Sequence, residues 1–353
     1  MKQKDTIVPL LAAVLTAQWF GSSAAGLIPA AGNAAYLSIL IAGAGLAALC
    51  AALRWILPKD GLTEICRTQR RLRIFLPAAA LLFTLLSASA LRDGLSQLKL
   101  TLLPETPRWF ALALMLPAVF MMSKSGISGV YRTIRLLAPV LAGLYILVLI
   151  LSGWKQFNLY GLFPLLGGGI TGIGKATGHA LTAGIWLTLL LFAPSPAKEG
   201  RNGLRACVWS AILTTAGYLC CAMLADGNAS AEAAFPLHRI TLSGGISFAF
   251  ERMQALFVFV WLPVQAAAAA AGLAQAAQCM HTALPKKREA SILCALFTAA
   301  AILALPDPER SPAWLTALMQ ANTQCLVLLP LLIPLGVGKL REQRAAREGQ
   351  NHA

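Results

Sequence analysis

The sequence predicts an all-α integral membrane protein of about ten transmembrane helices. Three observations predict it. Of 353 residues, 58% are hydrophobic and only 12% charged, where a soluble domain carries roughly a quarter charged. Apolar runs follow one another from end to end with short polar gaps, which makes residues 1–353 one membrane domain. The basic residues also collect in alternate gaps, which is how topology signals are distributed.

A spanning helix needs about 20 mostly apolar residues. Ten runs approach that length: 7–31, 34–57, 73–91, 108–123, 133–153, 176–193, 205–225, 251–278, 290–305 and 313–338. With the N-terminus in the cytoplasm, 21 of the 29 Lys and Arg fall on cytoplasmic segments and 8 on external ones. That bias orients the chain with an even number of spans and both termini inside. The first run reaches Ala31 without a cleavage signature, so it is read as a retained helix. No charged residue falls in the middle of any of these runs, an expectation that argues against a proton-relay pump.

Several function classes are disfavoured. The net charge of +15 is spread over the gaps, without the basic face and stacking aromatics of a nucleic-acid binder. Eight cysteines include no CxxC pair, and four histidines include no HExxH, so neither a metal site nor a cofactor is expected. The run Gly167 to Gly172 satisfies GxGxxG on paper, but no strand precedes it and no ribose-binding acid follows. No nucleophile–base pair stands out, and an enzyme is not expected.

Three connecting segments are more than linkers. Residues 92–107 carry spaced leucines and are expected to lie along the outer surface as an amphipathic piece. Residues 155–175 contain Pro164 and the triple glycine, so they cannot form one clean helix. Residues 226–250 make a third external segment.

The first run contains Gly21-Ser22-Ser23-Ala24-Ala25-Gly26, and the sixth Gly178 to Gly184 with His179 and Thr182. Small residues in membrane helices serve close packing. Equally, glycine and hydroxyl residues permit a broken helix whose open backbone faces a polar ligand. On the second reading the ligand touches Gly21, Ser22, Ser23 and Gly26 on one side and Thr182, Ala183 and Gly184 on the other. Trp261 and Gln265 of the eighth run close the pocket.

Three stretches resemble the B-subunit family of spore germinant receptors. Thr106-Pro107, Gly126-Ile127, Arg132 and Pro139 are similar to its TP…GIExIAR…P pattern. Asn158-Leu159 and Phe163 to Gly167 resemble its NLxPxL segment. Phe235-Pro236, Glu251-Arg252 and Trp261 resemble its FP…ERxExxxxxxW run. Ser128, Ile185 and Gln254 stand where the family carries acids.

The resemblance implies an amino acid–polyamine–organocation type fold with two inverted five-helix repeats, about 7–153 and 176–338, and discontinuous helices 1 and 6. It also implies sensing of a small nutrient, such as an amino acid or nucleoside, in a spore inner membrane beside A- and C-type receptor subunits. The alternative is an ion-coupled amino-acid transporter of the same fold.

Overall fold

The computed structural model describes residues 7–21, 24–103, 105–153, 158–193, 196–224, 253–284 and 329–351. Among these every regular element is helical. α1 (Val8–Phe20) has Pro9 in its first turn, where a missing N–H costs nothing. It stops at Gly21, whose N–H still reaches Ala17 O at 2.8 Å. The chain resumes as α2 (Ala24–Ala31) and, after a 3-10 turn, α3 (Ala35–Ile56). Ser22 and Ser23 lie outside the described residues.

A short α4 (Leu62–Thr68) and a 3-10 turn lead into α5 (Leu76–Thr101), α6 (Arg108–Lys124) and α7 (Gly126–Gly153). A second unit follows: α8 (Gly169–Leu181), a 3-10 run Thr182–Leu187, α9 (Thr188–Leu191) and α10 (Pro196–Leu224). α11 (Met253–Ala283) and α12 (Leu329–Asn351) complete it. Five segments are long and apolar enough to cross a membrane: Gly26–Trp55, Arg70–Lys99, Gly126–Leu151, Glu199–Met223 and Leu256–Ala283. This is a multi-pass membrane protein. The expected segments 226–250 and 290–305, and most of 313–338, lie outside the described residues.

Two expectations need correction. Residues 92–101 do not lie on the outer surface, because α5 continues through them. Leu91, Leu95 and Leu98 are buried, so the leucine stripe is amphipathic but faces protein rather than lipid headgroups. In consequence Arg92, Asp93 and Lys99 lie toward the C-terminal end of the segment Arg70–Lys99. The sixth helix also begins earlier than expected, at Gly169 rather than near 176.

Two helix pairs dominate the packing, α3 with α10 and α5 with α11. Both are built from small residues, which is how membrane helices approach closely without a hydrophobic drive between them. A methyl on Gly43 of α3 would lie 2.5 Å from Ala211 Cβ of α10. Cys50 and Cys207 meet across the same seam, sulfur to sulfur at 3.8 Å. In the other pair, Ala267 to Ala271 of α11 are buried to the last atom or nearly so. Ser87 Oγ donates to Ala269 O at 2.8 Å across that seam.

The triple glycine has a packing role. Gly168 N donates to Ala31 O at 3.0 Å, and added methyls on Gly167, Gly168 or Gly172 would run into the carbonyls of Ala30 and Ala31. Gly167 and Gly169 also have φ of +45° and +74°, where side chains are disfavoured. At the opposite end, α12 rests on α4, with Glu342 accepting from Lys59 N at 2.5 Å. The two basic stretches around 59–73 and 339–347 therefore share one face.

Candidate functional site

The interruption of helix 1 between α1 and α2 lies against α5. A methyl placed on Gly21 would sit 2.7 Å from Asp93 Oδ2 and 3.0 Å from Ala17 O, so only hydrogen fits there. The carboxylate therefore stands beside the C-terminal end of α1, whose carbonyls carry partial negative charge. An ionisable group on a membrane-spanning helix is rare and usually marks function. Gly94, the next residue, brings α5 to within 3.2 Å of Gln265 Cβ on α11, measured from its absent methyl. Gln97, one turn further, is buried with Gln265.

Aromatic rings frame this polar cluster. Phe20 stacks on Tyr218 with centroids 5.0 Å apart and meets the edge of Trp261 at 5.9 Å. Tyr218 OH donates to Trp19 O at 2.8 Å, satisfying one carbonyl of the last α1 turn. Trp261 and Gln265 are 3% and 2% exposed. Trp261 Nε1 and Gln265 Nε2 find no hydrogen-bond partner among the described residues. Each such donor costs about 1–3 kcal/mol, which an acceptor on a ligand would recover.

The second interruption is of another kind. Helix 6 does not open but tightens into the six-residue 3-10 run Thr182–Leu187, longer than such runs usually persist. Two tryptophans tie it to helix 1. Trp19 Nε1 donates to Ala180 O at 2.8 Å, and Trp186 Nε1 donates to Gln18 Oε1 at 3.2 Å. The last turn of α1 and the irregular part of helix 6 thus face each other.

The expected site residues divide accordingly. Gly21, Trp261 and Gln265 border the polar cluster around Asp93. Gly26 packs on the His179 ring, its absent methyl 2.6 Å from Cγ. Thr182 Oγ1 bonds His179 O at 2.6 Å, and Ala183 is fully buried. Gly184 looks onto Leu46 of α3 at 2.7 Å rather than onto helix 1. Sequence reasoning missed Gln18, Phe20, Asp93, Gln97 and Tyr218. Asp93 carried a signal, a lone acid on a leucine-striped stretch directly after a span.

A cavity of about 140 Å³ opens between α1, α7 and α11, with Thr16, Tyr145 and Trp261 among its walls. Trp261 belongs both to this cavity and to the aromatic frame of the cluster.

The spore germination protein family model matches residues 31–311. The chain belongs to that family. Among solved structures it is similar to a manganese transporter of Eremococcus coleocola bound to an aromatic bis-isothiourea compound, with TM-score 0.58 and 17% identity over 95% of this chain and 81% of that one. It is also similar to Mhp1, a nucleobase-cation-symport-1 family transporter solved closed with bromovinylhydantoin bound, with TM-score 0.57 and 16% identity over 91% of this chain and 75% of that one. These likenesses show the fold. No curated protein matches the sequence.

As a spore germination family protein, the chain uses its Asn-Leu…Phe-Pro segment structurally. Asn158 Oδ1 accepts from Tyr160 N at 3.0 Å and caps the turn Leu159–Leu162. Asn33 Nδ2 donates to Phe163 O at 3.2 Å, fastening that turn to the end of helix 1. Of the positions lacking the family's acids, Ser128 is exposed at the start of α7 and Ile185 is buried in the 3-10 run.

Proposed function

We propose that this family member is the nutrient-sensing membrane subunit of a germinant receptor, binding a small polar molecule beside the helix 1 interruption. The observation carrying this reading is the cluster at that interruption. A carboxylate abuts the C-terminal end of α1, and two buried donors on α11 find no partner among the described residues. A ligand entering lipid depth must replace its water hydrogen bonds, and these groups supply acceptors and donors together. Helix 6 faces the same point through Trp186. On this reading residues 7–153 and 176–338 act as two inverted repeats, and the paired seams α3–α10 and α5–α11 join equivalent helices of each. The basic face shared by α4 and α12 is cytoplasmic, in a spore inner membrane, where A- and C-type subunits have access to it.

The experiment is deletion of the gene in a spore-forming host. The expected result is loss of the response to one nutrient with vegetative uptake unchanged. Unchanged germination with every nutrient tested would sink the sensor reading. One observation favours a second reading: Asp93 within a span is the kind of charge that ion-coupled transport uses. Robust ion-driven amino-acid uptake by the purified protein in liposomes would select the transporter.

A further inference from the structure

The cavity between α1, α7 and α11 and the two donors on α11 share Trp261. We propose that they form one binding site, which takes a small amphiphile: an amino acid with a branched or aromatic apolar side chain. This rests on the proposed site at the helix 1 interruption and names the ligand class for it.

The apolar half of the site follows from the walls. Ala12 and Ala13 of α1 face Ala138 and Ala142 of α7, with Val264 of α11 beside them, so small side chains make the void. Its two hydroxyl-bearing walls are already engaged. Thr16 Oγ1 and Ser210 Oγ share a hydrogen bond at 3.0 Å, and Tyr145 OH donates to Leu213 O at 2.9 Å. With both hydroxyls engaged, the Trp261 N–H is the one open polar group among the lining side chains, and the rest of the space favours hydrocarbon. At about 140 Å³ its volume is close to the ~150 Å³ that admits benzene in an apolar cavity. A leucine, isoleucine or phenylalanine side chain matches that volume, while a nucleoside exceeds it and a lysine or glutamate side chain brings a charge that finds no partner there.

The polar half follows from α11. Trp261 Nε1 and Gln265 Nε2 belong to residues one helical turn apart, both buried and both without an acceptor among the described residues. A carboxylate, with two acceptor oxygens and no donor, is a group that can engage both. The ligand's head then lies toward the helix 1 interruption, and its side chain toward Ala138.

The test uses full-length protein in lipid nanodiscs, with L-leucine, L-phenylalanine, L-alanine, L-serine, L-lysine and inosine as probes in a thermal-shift and calorimetric titration. Leucine or phenylalanine should stabilise the wild type most. Ala138→Leu and Ala142→Leu fill the void and should weaken leucine binding about 10-fold or more, while alanine binding is kept. Trp261→Phe keeps the ring and removes the N–H, and should weaken every amino acid about 10-fold. Gly143→Leu, whose added side chain meets open space, controls for α7 itself. If both alanine variants bind leucine normally but Trp261→Phe does not, the site stands and the apolar assignment falls. If neither change matters, the site falls with it. Tighter binding of serine, lysine or inosine than of leucine overturns the proposal, as does silence from all six probes.

Discussion

The interruptions of helices 1 and 6 arise from the same sequence cue and end as different structures. Each holds glycines close to hydroxyl residues within an apolar run. At Gly21 the helix stops, and a carboxylate from α5 occupies the space a side chain would take. At Thr182–Leu187 the helix winds tighter instead, and Gly184 spends its missing side chain on contact with Leu46 of α3. Glycine therefore permits a break without dictating one. What decides is the neighbour: a polar group from another helix favours open backbone, and an aliphatic one favours continued internal hydrogen bonding.

The sharpest way to break this comparison is to fill both glycines. Gly21→Leu should abolish ligand binding while the protein still reaches the membrane, because the side chain meets Asp93 and the Ala17 carbonyl. Gly184→Leu meets only the flexible end of Leu46. It should cost about 1–3 kcal/mol of stability and leave measurable binding. The reverse order, read by calorimetry on purified protein, would make helix 6 the liganded interruption. Gly43→Leu drives into Ala211 and should lower the yield of folded protein more than Gly184→Leu does.

Asp93→Asn keeps the shape beside Gly21 and removes the charge. Binding of the cognate nutrient should weaken at least about 10-fold, close to 1.4 kcal/mol, with little change in melting temperature. A variant that binds normally would reduce Asp93 to a packing neighbour. Trp186→Phe probes the other side by removing the bond to Gln18 Oε1. It should cost about 0.5–1.5 kcal/mol, seen as a modest drop in melting temperature.

The smallest expected effect concerns α4. Cys66 is fully buried in α4, and burial pushes its thiol up to about 11, with Arg73 opposing. The thiolate is therefore scarce at pH 8 and rises about 10-fold per pH unit until the pH nears 11. An impermeant maleimide should label Cys66 barely at neutral pH and faster as pH rises. Topology is better read from a cysteine at the exposed Arg344; strong labelling there from outside the cell would overturn the cytoplasmic tail.

Much of this was legible in the sequence, and the omissions share one cause. Helical class, membrane residence and the interruption at Gly21 follow from apolar runs and glycine spacing. Asp93 was assigned to an external loop because hydropathy ends the span at Arg92, whereas α5 continues with its leucines turned toward the protein. Hydropathy reports the solvent a segment prefers, and inside a bundle the solvent is other helices. The partners of Gly26 and Gly184 were likewise invisible, since sequence shows that a side chain is missing but not which neighbour uses the room.

The alanine seam between α5 and α11 has a consequence for how such a chain can change over generations. Ala267 to Ala271 have no exposed surface to spare, and a methyl on Gly272 would sit 2.8 Å from the Phe83 carbonyl. Neutral drift here has almost nowhere to go, because every larger residue must be accommodated by a shrinking one across the seam. Lineages should therefore keep this stretch monotonously small while less confined positions diversify, so the least chemical part of the protein is the slowest to be rewritten.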